Sequence, residues 1–153
     1  MRPFLFFLSV MFVAGCAGSS SVQTPSQHPE FTVTHVRPDC VRSIMTTALI
    51  NQGYTLRSTS DTQIVGGKAT QSPSSSRWYS RLIYDNPPEE RVSILFIPQE
   101  SVDTVRIVKM TEYVYEANTA TEEVQPASDT QEDQDQFMAM KDLIEKHCGK
   151  PLE

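Results

Sequence analysis

The ten residues from Phe4 to Val13 (Phe-Leu-Phe-Phe-Leu-Ser-Val-Met-Phe-Val) are uncharged and almost wholly apolar, and nothing later in the chain matches them. A helix needs about 20 such residues to cross a bilayer, so this run is too short to span one. Preceded by Arg2 and followed by the small residues Ala14 and Gly15, it has the layout of an export leader. The remainder must therefore build its core from short, interrupted apolar patterns and not from a membrane segment.

The run closes in Val13-Ala14-Gly15-Cys16, which resembles the lipobox of bacterial lipoproteins. The resemblance is confined to the leader and Cys16. It implies cleavage before Cys16 by signal peptidase II, acylation of the Cys16 thiol, and a mature chain held to a membrane by lipid. At roughly 0.8 kcal/mol per buried methylene, several acyl chains need no second membrane signal. Lipoproteins retained at the inner membrane tend to carry aspartate after the cysteine, and here that residue is Ala17. The resemblance thus implies the periplasmic face of the outer membrane, with another cell membrane as the alternative.

Removing residues 1–15 leaves 138, enough for one domain and a tether. Residues 16–30 form the lipidated cysteine and a Ser/Gln/Pro-rich tether whose coil ends lie roughly 20 Å apart. His28 within it reads as solvated, and the domain occupies 31–153. After the leader the chain carries 12 basic and 19 acidic residues, a net charge of −7. It lacks the clustered Lys and Arg that phosphate contacts require, which argues against nucleic acid as a partner. With Cys16 lipidated, Cys40 and Cys148 remain as an even pair in an oxidising compartment. They read as a disulfide, with two free buried thiols as the alternative.

Phe31 to Val36 alternates and stops at Arg37-Pro38, a short strand. Asp39 is placed to cap a helix with Val41, Ile44, Met45, Ala48 and Leu49 on one face, ended by a left-handed Gly53. Tyr54–Thr59 and Gln63–Lys68 form a hairpin around Ser60-Asp61. Gly66-Gly67 lacks the spacing of a phosphate loop and reads as a strand end or bulge. Trp78–Tyr84 and Val92–Ile97 flank a Pro-rich turn, and a further strand runs from Val102 to Glu116. Its apolar residues change parity between Val105/Ile107 and Val108/Met110/Val114, which predicts a bulge near Lys109. A mobile loop follows from Asn118. Then Glu132, Asp133 and Asp135 open a helix with the inner stripe Phe137, Met140, Ile144 and Cys148, stopped after Lys146 and His147 by Gly149 and Pro151.

The predicted fold is α+β: an antiparallel sheet of four or five strands with two helices on one face, in β-α-β-β-β-β-α order. At the level of fold alone this resembles small helix-grip-like domains of envelope lipoproteins. The cystine would join the start of the first helix to the end of the last.

The spacing of chemistry-bearing residues points away from catalysis. His28, His35 and His147 are dispersed, and His147 beside Cys148 reads as a charge at a helix C-terminus. The acids lack the central glycine of a calcium loop. No enzyme, cofactor or metal is expected. The aromatic residues Trp78, Tyr79, Tyr84, Tyr113 and Tyr115 remain, and alternation sends Tyr113 and Tyr115 to the same face. They either enter the core or form a patch on the open sheet face, where Trp78, Tyr113 and Tyr115 make the candidate partner surface. The function expected is a lipid-anchored domain that binds or scaffolds another envelope component, an envelope protein being the partner expected. The alternative is a small-ligand carrier, which needs a closed apolar cavity of roughly 300 Å³ or more.

Overall fold

A computed structural model describes residues 21–70, 88–100 and 103–149. The leader, Cys16, and the expected strand with Trp78, Tyr79 and Tyr84 lie outside the described residues. The elements run β1 (Glu30–Thr34), α1 (Pro38–Asn51), β2 (Thr55–Thr59), β3 (Gln63–Ala69), β4 (Glu89–Pro98), β5 (Thr104–Tyr115), β6 (Glu123–Pro126) and α2 (Gln131–Cys148).

Each helix begins and ends for a local reason. Pro38 opens α1 at a position where a missing N–H costs nothing, and Arg37 is the residue before it. Asp39 therefore sits inside the first turn and does not cap it; there its charge meets the helix dipole and pairs with Arg42. Gly53 adopts φ +84° just beyond the helix, the left-handed conformation that ends it. At the start of α2, Thr130 accepts from the Asp133 N–H while the Asp133 carboxylate accepts from the Thr130 N–H, a reciprocal capping box.

All strands pair antiparallel in the order β1-β5-β4-β3-β2, and β6 also pairs with β5. β1 occupies Thr104–Val108 of β5 and β6 occupies Glu112–Tyr115, so two strands share one long edge end to end. The sheet thus has six strands among the described residues, one or two more than expected. β6 falls where a mobile loop was expected because all four of its residues are exposed, leaving no burial pattern to read. Its stability comes from the ladder with β5.

The parity change in β5 is not a bulge. The register from Glu89↔Val114 to Pro98↔Val105 is unbroken. Val105 and Ile107 bury into the helix-covered core, while Val108 and Val114 are buried on the opposite face. A strand covered on both faces carries apolar residues at both parities. Gly66 and Gly67 likewise sit inside β3 in continuous register with β4, and the irregularity lies in β2, between Leu56 and Ser58.

The core lies between the helices and one sheet face. Val33, Ile64, Val92, Ile94 and Ile107 of the sheet meet Val41, Met45 and Leu49 of α1 and Phe137 and Ile144 of α2. Phe31 and Phe137 pack with ring centroids 4.8 Å apart, tilted by 48°. Cys40 and Cys148 are disulfide-bonded, S–S 2.05 Å, joining the first turn of α1 to the end of α2. Beside the bond, the Arg37 N–H donates to the Cys148 carbonyl at 3.0 Å.

Composition assigned residues up to 30 to a free tether, yet 21–30 form a docked strap. Ser21 bridges to Thr130, and Val22 and Pro29 are buried. The Lys109 N–H donates to the Pro29 carbonyl at 2.8 Å, and Glu30 exchanges backbone hydrogen bonds with the Gln134 amide at 2.8 and 2.9 Å. His28 is not merely solvated: its Nδ1 stands 2.7 Å from an Asp129 carboxylate whose side chain is 7% exposed. Few apolar residues are needed for this, because polar pairs to α2 do most of the holding.

Candidate functional site

Among the described residues, a polar aromatic cluster occupies one end of the helix-bearing sheet face. Register assembles the cluster. Lys68 of β3 lies opposite Glu90 of β4, and Glu90 lies opposite Tyr113 of β5. Tyr54, just before β2, stands next to them, over Gly66. A Cβ at Gly66 would come 3.1 Å from the Tyr54 Cβ, so the absence of a side chain makes room for the ring.

Tyr54 is buried, and its hydroxyl donates to Glu90 Oε1. The Lys68 ammonium sits 4.3 Å from the Tyr54 ring centroid and 3.7 Å from Glu90 Oε2. This is a cation over a π face with its counter-ion alongside. Burial first, then the Glu90 carboxylate, push the Tyr54 hydroxyl far above its ordinary range. Burial followed by Glu90, Tyr115 and Asp133 raises Tyr113 as well. Phenols held up in this way stay neutral at physiological pH. They act as fixed donors and apolar surface, not as bases.

Tyr113 and Tyr115 do lie on the same face, as alternation requires. That face is the helix-bearing one, because the unbroken β5 register places Tyr113 in phase with Val105 and Ile107. Tyr113 is 38% exposed and Tyr115 is half-buried. The opposite face is not an open one along β5 and β4: Val108, Val114 and Glu89 are buried there. Trp78 lies outside the described residues, so the structure brings together the tyrosine half of the expected surface. Sequence reading missed Tyr54, Lys68 and Glu90, which meet Tyr113 only through strand register.

Two further features sit near the helices. The space between helices and sheet, lined by Met45, Leu49, Ile94, Phe137 and Met140, measures about 100 Å³. An open groove of about 590 Å³ runs between α1 and α2 past Ile44, Ala48, Met140 and Leu143. Among the described residues, no group of three or more His, Cys, Asp or Glu is arranged to hold a metal, and no helix is long and apolar enough to cross a membrane.

The chain matches no protein-family model and no curated protein. The class defined by fold and site is a disulfide-bonded α+β domain with a tyrosine-rich sheet end.

Proposed function

We propose that the chain is a non-enzymatic, lipid-anchored envelope lipoprotein whose domain docks another envelope protein through the tyrosine end of its sheet. The observation that carries this reading is Tyr113, an aromatic ring 38% exposed beside a buried neutral phenol and a charge-compensated carboxylate. Exposed tyrosine on a rigid, prearranged base is the composition of a binding hot spot.

The docked strap supports the same reading and narrows the partner. Five residue steps separate Cys16 from Ser21, a reach of at most about 18 Å. Ser21 meets Thr130, four residues beyond Pro126, which pairs with Glu112 next to Tyr113, so the strap starts at the tyrosine end of β5. A partner that binds there lies at the membrane surface. Among the described residues, the cavity lined by Met45, Leu49, Ile94, Phe137 and Met140 measures about 100 Å³, below a ligand pocket of roughly 300 Å³, which supports docking over the carrier alternative.

The test places a photoreactive residue at Tyr113 in the full chain in cells. The anchored protein should yield an adduct with one envelope protein, and Cys16→Ser should lose it. With the photoreactive residue moved to Tyr115, Tyr113→Ala should abolish the adduct while leaving thermal unfolding unchanged. An identical adduct from Cys16→Ser would remove the anchor from the proposal. No adduct, with a small molecule retained in native mass spectra, would replace docking by carriage.

A further inference from the structure

α2 packs over β1 and against α1, and α1 approaches the sheet at β2 while its residues Val41, Met45 and Leu49 are buried in the core. Among the described residues β2 is the last strand of the sheet and is paired only to β3. Its outer edge therefore presents a row of backbone donors and acceptors that no described strand uses. Four of its five residues are exposed.

Between this edge and α1 runs an open groove of about 560 Å³. Arg42, Ser43, Thr46 and Thr47 of α1 form one wall, and Leu56 and Thr59 of β2 belong to the other. Leu56 pairs with Gly66, and Thr59 with Ile64, so both lie on the helix-bearing face. The groove thus occupies the place where alternate side chains of a next strand would fall. At its mouth Asp39 and Asp61, with side chains 90% and 94% exposed, share the single guanidinium of Arg42.

We propose that this groove binds an extended segment of a partner protein, which adds to β2 as a further antiparallel or parallel strand. Unused backbone groups on an exposed strand recognise another backbone, and the space under the α1 flank takes every second side chain of the incoming segment. Leu56 and Ile64 offer an apolar floor, and the surplus carboxylate at the mouth favours a lysine or arginine on the segment. No residue lining the groove belongs to the Tyr54–Tyr113 cluster, so this binding does not depend on the docking surface proposed above or on the lipid anchor.

The probe is a library of linear peptides displayed on phage, selected on the full chain in detergent. Enriched peptides should alternate apolar and polar residues and carry a basic one. In the presence of a selected peptide, the amide protons of Thr55–Thr59 should gain protection from exchange. N-methylation at alternate peptide bonds, which removes backbone donors and keeps side chains, should weaken binding about tenfold or more. Thr46→Trp, which fills the groove from the helix side, should weaken it by a similar factor with unchanged thermal unfolding, whereas Tyr113→Ala should leave it intact. The proposal is overturned by a failure to enrich, by protection that maps to the α1–α2 groove, or by N-methylated peptides that bind as well as their parents. It is equally overturned if β2 becomes protected without peptide as protein concentration rises, which would make the occupant a second copy of this chain.

Discussion

Reduction of the Cys40–Cys148 bond is the sharpest perturbation the fold offers. The bridge closes a loop across 108 positions, so it constrains almost the whole domain in its unfolded state. The loop-closure expression at this length gives about 4.8 kcal/mol at 25 °C. A domain of this size is stable by roughly 5–15 kcal/mol, so the loss is large without being fatal. The folded state should persist after reduction, because Arg37 still bonds the Cys148 carbonyl, Val36 still bridges Gly149, and Cys148 remains buried. With a urea slope of about 2 kcal/mol/M, the midpoint should fall by about 2.4 M. Urea titrations followed by far-UV circular dichroism, with and without reductant, measure this directly. A shift below about 0.5 M would refute the assignment of the stabilisation to loop closure.

Other consequences follow from single side chains. Gly67→Ala sets a Cβ 2.7 Å from the buried Glu89 carboxyl carbon and 3.2 Å from Nε of its exposed ion-pair partner Arg57. It should cost about 1–3 kcal/mol in chemical denaturation. Ile144→Ala, at a residue with no exposed surface, should cost about 2–5 kcal/mol and leave a cavity visible in a crystal structure of the variant. At Glu30 and Asp133, burial penalises the charge, but hydrogen bonds from Arg106 and Ser26, and from Thr130, outweigh it and hold both carboxyls below their ordinary values. Both groups therefore stabilise the fold fully above about pH 4–5, and that stability is lost as pH falls through the lowered values. Thermal melts from pH 6 to 2 should show the decline, and Glu30→Gln with Asp133→Asn should flatten it.

The helices were legible in the sequence because each carries its own signals. Val41, Met45 and Leu49 repeat at helical spacing, Gly53 takes the left-handed turn, and the acids and bases of α2 sit at the ends that suit them. The β2–β3 hairpin and the cystine were legible for similar local reasons. What escaped notice is what depends on partners far along the chain. β6 exists through pairing with β5, and β5 looked broken only because both of its faces are buried. The strap carries few apolar residues, so its attachment through His28–Asp129 and Glu30–Gln134 had no signature in composition. The candidate site divides the same way. Tyr113 and Tyr115 could be placed on the same face by counting, but Tyr54 and Glu90, 36 residues apart, meet only across β3.

The shared edge of β5 also sets the order in which the molecule can assemble. β1, near the beginning of the chain, pairs with residues 70 to 78 positions later, while β3, β4 and β5 pair as sequence neighbours. Loop-closure entropy must be met before such a distant pairing gives any return, so the β2-to-β5 meander forms first and β1 is added late. The opening strand therefore spends the early part of folding as an unsatisfied edge. It is covered for good only when the helix that arrives last brings Gln134 to Glu30 and Phe137 to Phe31.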